Sequence, residues 1–273
     1  MSNKLDGLPP IRYLNLDNRI DRQQYMESQF EKYNIKDYTR ISADRYHPND
    51  FDEWKKSSLI IDHVSNQPHY ISILVNQFQS IVDWYHENSS ETCLILEDDL
   101  NFSILKYWNF DWKDIMDNLP CNWDCVQFHI IGHVYMPMGL TIRTRNNHAA
   151  TCYMISRNYA KKLIDMHYFD GKFKFFRNYG YDSKWPIYHY QSPDFVPYEI
   201  GVTYSFPIFV TNSSFISDCY KIRINNMAKK SDYVVAKWWA EVGNKCSIKS
   251  LCCLDITNNK KLKLKINYSP DDS

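Results

Sequence analysis

The chain has 273 residues with 32 basic and 32 acidic side chains, and its 44% hydrophobic content excludes disorder while the zero net charge excludes a general polyanion binder. That neutrality is uneven: residues 221–273 hold 11 basic and 5 acidic groups, against 21 and 27 in residues 1–220. Only 7 glycines occur, where ~7% of residues is usual, and none has the spacing of a G-x-G-x-x-G, Walker A or G-x-S-x-G loop.

The first unit reads strand, loop, helix. Ile11 to Leu16 is a short apolar run stopped by Asp17-Asn18, after which Asp21 can cap a helix whose Met26, Phe30 and Tyr33 are spaced four and three apart. A short strand is expected over residues 38–41, then a loop rich in Asp, His and Pro to about residue 56. Residues 70–86 give the clearest helix, with Ile71, Leu74, Phe78, Ile81, Val82 and Tyr85 on one face. TCLIL (92–96) is apolar throughout, as a buried parallel strand is. DWKDIMDNL is helical, DCVQF (124–128) strand-like, and ATCYMI (150–155) another buried strand, after which Ser156 caps a helix with Tyr159, Leu163 and Met166 inward. Residues 167–201 are irregular and aromatic, and 202–206 form a late strand.

This alternation predicts an α/β fold, a mostly parallel sheet with helices on both faces. Residues 1–220 read as the main domain and 221–273 as a basic C-terminal extension. The extension contains an amphipathic helix around 233–242 and the period-two KKLKLKIN, an edge strand protected by lysines rather than a nucleic-acid arm. The polar N-terminus breaks at Pro9-Pro10, and no apolar run reaches the ~18 residues of a span, so neither signal peptide nor membrane span is expected. The 8 cysteines lack zinc spacing and read as reduced thiols, which suits a cytoplasmic protein.

The chemical centre is LILEDDL, with Glu97, Asp98 and Asp99 directly after a buried strand. In open α/β sheets ligands bind beyond the carboxyl ends of the strands. Three adjacent carboxylates repel one another unless a cation neutralises them, and hard oxygen ligands suit Mg²⁺ or Mn²⁺, which can bridge a diphosphate.

These residues, in order, resemble glycosyltransferase family 25, the group with lipopolysaccharide and collagen galactosyltransferases, and most of all its compact viral and phage versions. RYLNLDNRIDRQQYMESQF is similar to the family's N-terminal signature and LILEDDL to its acidic motif. WDCVQF, ATCYMISRNYAKKLID and SPDFVPYEIGVTYSFPIF are similar to its downstream segments, so the likeness spans about residues 11–218. The resemblance implies a GT-A (Rossmann-like) fold and Mn²⁺, with Mg²⁺ as an alternative. It also implies a UDP-sugar donor, glucose or galactose, and inverting transfer to a saccharide or protein acceptor. Carried over residue by residue, Asn15, Arg19 and Arg22 match the donor-site signature, Glu97 faces the ribose, Asp98 supports it, Asp99 ligates the metal, and Asp194 is the general base. Location is then the cytoplasm, the host's for a viral protein, and a homodimer is compatible with the chain.

Two departures stand out. The family's Ser-His in the helix before the acidic strand is replaced by Asn76-Gln77, and all 9 histidines lie at or before His189, so a late metal ligand falls to Asp218. His129 and His133, flanking Gly132, and His148 are structural or touch donor or acceptor. Asp182, Lys184 and the surrounding rings suit a saccharide. Two rival functions stay open: a non-catalytic nucleotide-sugar or carbohydrate binder on a degenerate transferase scaffold, and a metal-dependent phosphodiesterase or nuclease using the same triplet.

Overall fold

The computed structural model describes residues 4–61, 68–132, 135–175, 192–215, 222–253 and 263–265. The expectations for His133, Asp182, Lys184, Asp218 and residues 176–191 lie outside them.

In chain order, β1 (Ile11–Asn15) leads through α1 (Ile20–Lys32) to β2 (Tyr38–Ser42). Next come α2 (Phe51–Lys56), β3 (Ile60–Ile61), the long α3 (Pro68–Glu87), β4 (Thr92–Glu97) and the short β5 (Leu100–Asn101). After α4 (Trp112–Asn118) come β6 (Cys125–Gln127), β7 (Ile131–Gly132), β8 (Tyr135–Pro137), β9 (Thr141–Ile142), β10 (Asn147–His148) and β11 (Cys152–Ser156). α5 (Arg157–His167), β12 (Tyr168–Phe169) and β13 (Lys172–Lys174) follow. The last elements are β14 (Thr203–Ser205), β15 (Val210–Thr211), α6 (Ile222–Glu241), α7 (Ile248–Leu251) and β16 (Lys263–Lys265), which pairs antiparallel with β8.

The main sheet has the order β2-β1-β4-β11-β6-β14-β9. β1 is parallel to β2 and β4, and β14 is parallel to β6. β11 runs against both neighbours and β9 against β14. An apolar run signals burial on both faces but not direction. No crossover helix lies between β6 and β11 among the described residues, and without one the chain returns antiparallel.

Alternate strand residues feed two cores, as period-two geometry requires. Leu94 and Leu96 of β4 pack with Met26 and Phe30 of α1, Trp112 of α4 and Trp239 of α6. Cys93 and Ile95 face Leu74, Phe78 and Ile81 of α3 and Leu163 of α5. The helices therefore cover both faces. α6 and α7 do not stand beside this body: Val235, Trp238, Trp239 and Leu251 are buried in the first core.

Local signals explain the starts of α4 and α5. The Ser156 hydroxyl accepts from Tyr159 N at 3.2 Å, and Asp111 with Asp114 forms a reciprocal capping box at α4. Asp21 does not cap α1: Arg19 is the N-cap residue, without a side-chain cap, and Asp21 sits in the first turn. There its charge suits the helix dipole.

One core group carries a pH signature. His167 is fully buried, its Nδ1–H donating to Lys174 O at 2.9 Å, with Phe78 and Phe175 rings against it. Burial lowers its pKa to about 4 against the opposing carbonyl bond. The unfolded chain then binds more protons between the ordinary histidine value and 4, so stability is fully present above ~6.5 and falls through this window as pH drops. His167→Gln is expected to remove up to about 3 kcal/mol of that acid loss. The difference in urea midpoint between variant and parent at pH 7 and pH 4 measures it.

Candidate active site

The connection from β1 through α1 goes to β2 on one side of β1, while β4 lies on the other. The chain thus reverses its winding between β1 and β4, the topological switch point where open α/β sheets hold ligands. Leu14 pairs with Glu97 across this junction, so Asn15 and the acidic triplet leave neighbouring strands together. They line a cleft of about 300 Å³, with Arg22 beside them and His47, His69, Ser72 and Asn76 on the other walls.

The three acids have three different environments. Asp98, 6% exposed, accepts from Asn15 Nδ2 at 2.7 Å and forms an ion pair with Arg22 Nη1 at 2.7 Å. Asn15 is itself braced, donating to Arg19 O at 3.1 Å and accepting from Arg40 Nε at 2.8 Å. Glu97 accepts from Thr151 Oγ1 at 3.1 Å and, more loosely, from Gln77 Nε2 at 3.5 Å. Asp99 is anchored through its backbone, where Asn212 N donates to its carbonyl at 2.8 Å. Among the described residues its Oδ1 is buried without a hydrogen-bond partner, and Oδ2 lies 3.9 Å from Arg22 Nη1.

Burial and neighbouring carboxylates raise the pKa of both Glu97 and Asp99. For Glu97 burial comes first, then Asp99, with the Thr151 hydroxyl opposing. For Asp99 burial again leads, Arg22 opposes it, and Asp98 adds repulsion. For each, these opposing groups compensate the charge only in part.

The sequence-derived candidates divide accordingly. Asn15, Arg22, Glu97, Asp98 and Asp99 come together. Among the described residues Arg19 meets this cluster through its carbonyl, while its guanidinium forks onto Asp21 at 3.0 and 2.9 Å and does not line the cleft. Arg22 lies on the buried stripe of α1 with Met26, Gln29 and Phe30, whereas Arg19 precedes the helix. Asp194 lies in a turn and does not line the cleft, yet it is close enough for its charge to act on Glu97. Its Oδ1 accepts from Ala149 N at 3.1 Å. Burial raises its pKa, against Arg143, the Ala149 amide and His129. Asp218 lies outside the described residues.

The departures from the family pattern have structural tasks. Asn76 Nδ2 donates to Ala43 O at 2.8 Å, Ser72 O at 2.9 Å and Tyr46 O at 3.1 Å, fixing the loop that closes the cleft. Gln77 links Glu97 to Tyr153, whose hydroxyl donates to Gln77 Oε1 at 3.3 Å.

Sequence reasoning missed Asp232. This α6 residue is buried, its Oδ1 lying 3.0 Å from His129 Nε2, and its Oδ2 accepts from the Thr211 hydroxyl. Burial opposes a charge on His129, but Asp232, then Asp99 and Glu97, outweigh it and raise its pKa. Thr211 pairs with Leu100, just after the triplet, so this buried polar chain backs the acidic centre. The available signal was Ser231-Asp232 in the apolar stripe of Val235, Trp238 and Trp239.

No group of three or more His, Cys, Asp or Glu among the described residues is arranged to hold a metal ion. A divalent ion bound in the manner of Mg²⁺ needs only one or two carboxylates, the rest of its shell being water and ligand phosphate. The unpartnered Asp99 Oδ1 fits that single-carboxylate role. Scanned against models of known protein families, the chain matches none, and no curated protein matches it. No helix among the described residues is long and apolar enough to cross a membrane. The fold and cleft define a mixed α/β protein with an acidic site at its switch point.

Proposed function

We propose that the chain is a metal-dependent, inverting glycosyltransferase of GT-A architecture and family-25 type. It would move a hexose, glucose or galactose, from a UDP-sugar to a hydroxyl of a saccharide or protein acceptor. The observation that carries this reading is the unequal treatment of the triplet at the switch point. Asp98 is neutralised by Arg22 and hydrogen-bonded by Asn15, while Asp99, which lines the cleft, keeps a buried carboxylate oxygen with no hydrogen-bond partner among the described residues. Mn²⁺, when bound, supplies positive charge to the departing diphosphate. In this reading Asp99 holds the ion, Glu97 faces the ribose, and Asn15 with Arg22 keeps Asp98 from competing. Asp194, with one oxygen fixed by the Ala149 amide, takes the acceptor proton with the other.

The test is a screen of UDP-sugars for Mn²⁺-dependent UDP release, with and without candidate glycans. Release abolished by chelation supports the reading, and no release from any donor overturns it. UDP binding without turnover transfers the assignment to a non-catalytic nucleotide-sugar binder. Asp194→Asn is expected to lower transfer by about 10²–10⁴-fold. UDP binding with Mn²⁺, measured by calorimetry, stays unchanged.

A further inference from the structure

Asp194 is held by a segment that is strained at one residue. Ala149 has φ +91°, a left-handed conformation that residues with a Cβ adopt only when their surroundings enforce it. Its N–H donates to Asp194 Oδ1 at 3.1 Å, and its carbonyl accepts from Gln127 Nε2 at 2.6 Å and from the Tyr198 hydroxyl at 3.0 Å.

Gln127 does more than meet one carbonyl. It is fully buried at the end of β6, and its amide also donates to His148 O at 3.0 Å and Asn147 O at 3.3 Å. Its Oε1 accepts from Ser205 Oγ at 2.9 Å, and the same hydroxyl accepts from Asn147 Nδ2 at 2.9 Å. One side chain thus collects three consecutive carbonyls, 147 to 149.

Arg143 closes the arrangement from the other side. Its Nη2 donates to Asn147 O at 3.0 Å and also to Asp194 O, tying the two segments together. The guanidinium lies 4.2 Å from the Tyr198 ring centroid, the ring whose hydroxyl meets Ala149 O. Asp194 is therefore fixed at its backbone by Arg143 and at one side-chain oxygen by Ala149.

We infer that Gln127 and Arg143 are positioning residues for Asp194, Gln127 acting through the strained Ala149 peptide and Arg143 through the Asp194 backbone carbonyl, and that together they aim its second carboxylate oxygen. The role of that oxygen as base rests on the transferase reading; the positioning itself does not. The charged and polar groups facing Asp194 among the described residues are Arg143, the Tyr198 hydroxyl and the Ala149 amide from its own cradle, His129 beyond β6, and Glu97 at the end of β4. Releasing Ala149 removes a hydrogen bond to the ionised carboxylate and leaves the other groups in place.

The experiment follows the Asp194 carboxyl by ¹³C NMR in protein labelled at aspartate, assigned by its loss in Asp194→Asn, with no donor or metal present. Gln127→Met keeps the volume and removes the amide, so Ala149 relaxes and the Asp194 titration moves upward. Adding Ala149→Gly to that variant returns the titration toward the parent, because glycine holds a positive φ without the clamp. Should Gln127→Met not fold, Arg143→Lys, which keeps the charge but loses the fork, is expected to give the same upward shift. With an active donor, Gln127→Met lowers kcat by about 10²-fold with donor KM nearly unchanged, and Ala149→Gly restores most of it. An unchanged titration, or a folded double variant without recovery, overturns the inference and leaves the transferase reading intact. Absence of UDP release by the parent, with the titration shift present, overturns the transferase reading alone.

Discussion

Asp99→Asn is expected to abolish Mn²⁺-dependent UDP release, by about 10³-fold or more given the several kcal/mol a divalent ion contributes to a departing phosphate. Asparagine keeps the shape of the side chain and removes its charge. Neither neighbour can replace it: Asp98 is paired with Arg22 and Asn15, and Glu97 is held by Thr151. The fold is not expected to suffer. The Asp99 carboxyl has its pKa raised by burial, so ionisation at neutral pH opposes folding. The metal-free variant should melt at the parental temperature or above it. Mn²⁺ with UDP should then raise the melting temperature of the parent, as a ligand of the native state must, and leave that of Asp99→Asn unmoved. A metal-induced shift of equal size in both proteins removes Asp99 from the site.

Such a separation of stability from function depends on how the triplet is placed, and much of that placement was legible in the sequence. A continuous apolar run ending in three acids can only be a buried strand delivering charge to its carboxyl end, and β4 does so. The stripe of α3 was readable for the same reason: Ile71, Leu74, Phe78 and Ile81 are all fully buried. Other features depend on partners far along the chain. His129 and Asp232 are 103 residues apart, and neither has a local motif that names the other. The reversal of β11 follows from the absence, among the described residues, of a crossover helix before it, which burial patterns do not encode. Arg19 and Arg22 look alike as a basic pair at a helix start. The spacing of Arg22 to Met26 and Phe30 puts it on the buried face, and that periodicity was a stronger guide than the motif. Ala149 was invisible, since nothing in its residue type signals a positive φ.

The Arg22–Asp98 pair makes the second large effect, this time on stability. Both side chains are below 10% exposed, at 7% and 9%, and their contact is 2.7 Å. Arg22→Met fills the same space along Phe215, whose ring lies 5.1 Å from the guanidinium, but leaves Asp98 charged with Asn15 as its remaining donor among these contacts. Removing one member of a buried pair typically costs about 3–5 kcal/mol, because the survivor keeps its desolvation cost. Urea unfolding at pH 7 is expected to show that loss. Asp98→Asn should be milder, since its amide oxygen still accepts from Asn15 and Arg22 finds a second carboxylate in Asp99, now 3.9 Å away. That rescue has a functional cost, because an Arg22 drawn onto Asp99 competes with any cation there. Asp98→Asn is thus expected to retain most of its stability and to bind Mn²⁺ at least about tenfold more weakly, a loss of ~1.4 kcal/mol. The double variant Arg22→Met with Asp98→Asn should recover metal binding relative to Asp98→Asn alone, since the competing guanidinium is gone. Failure of that recovery, in a folded double variant, means that Asp98 acts on the metal site directly and not by occupying Arg22.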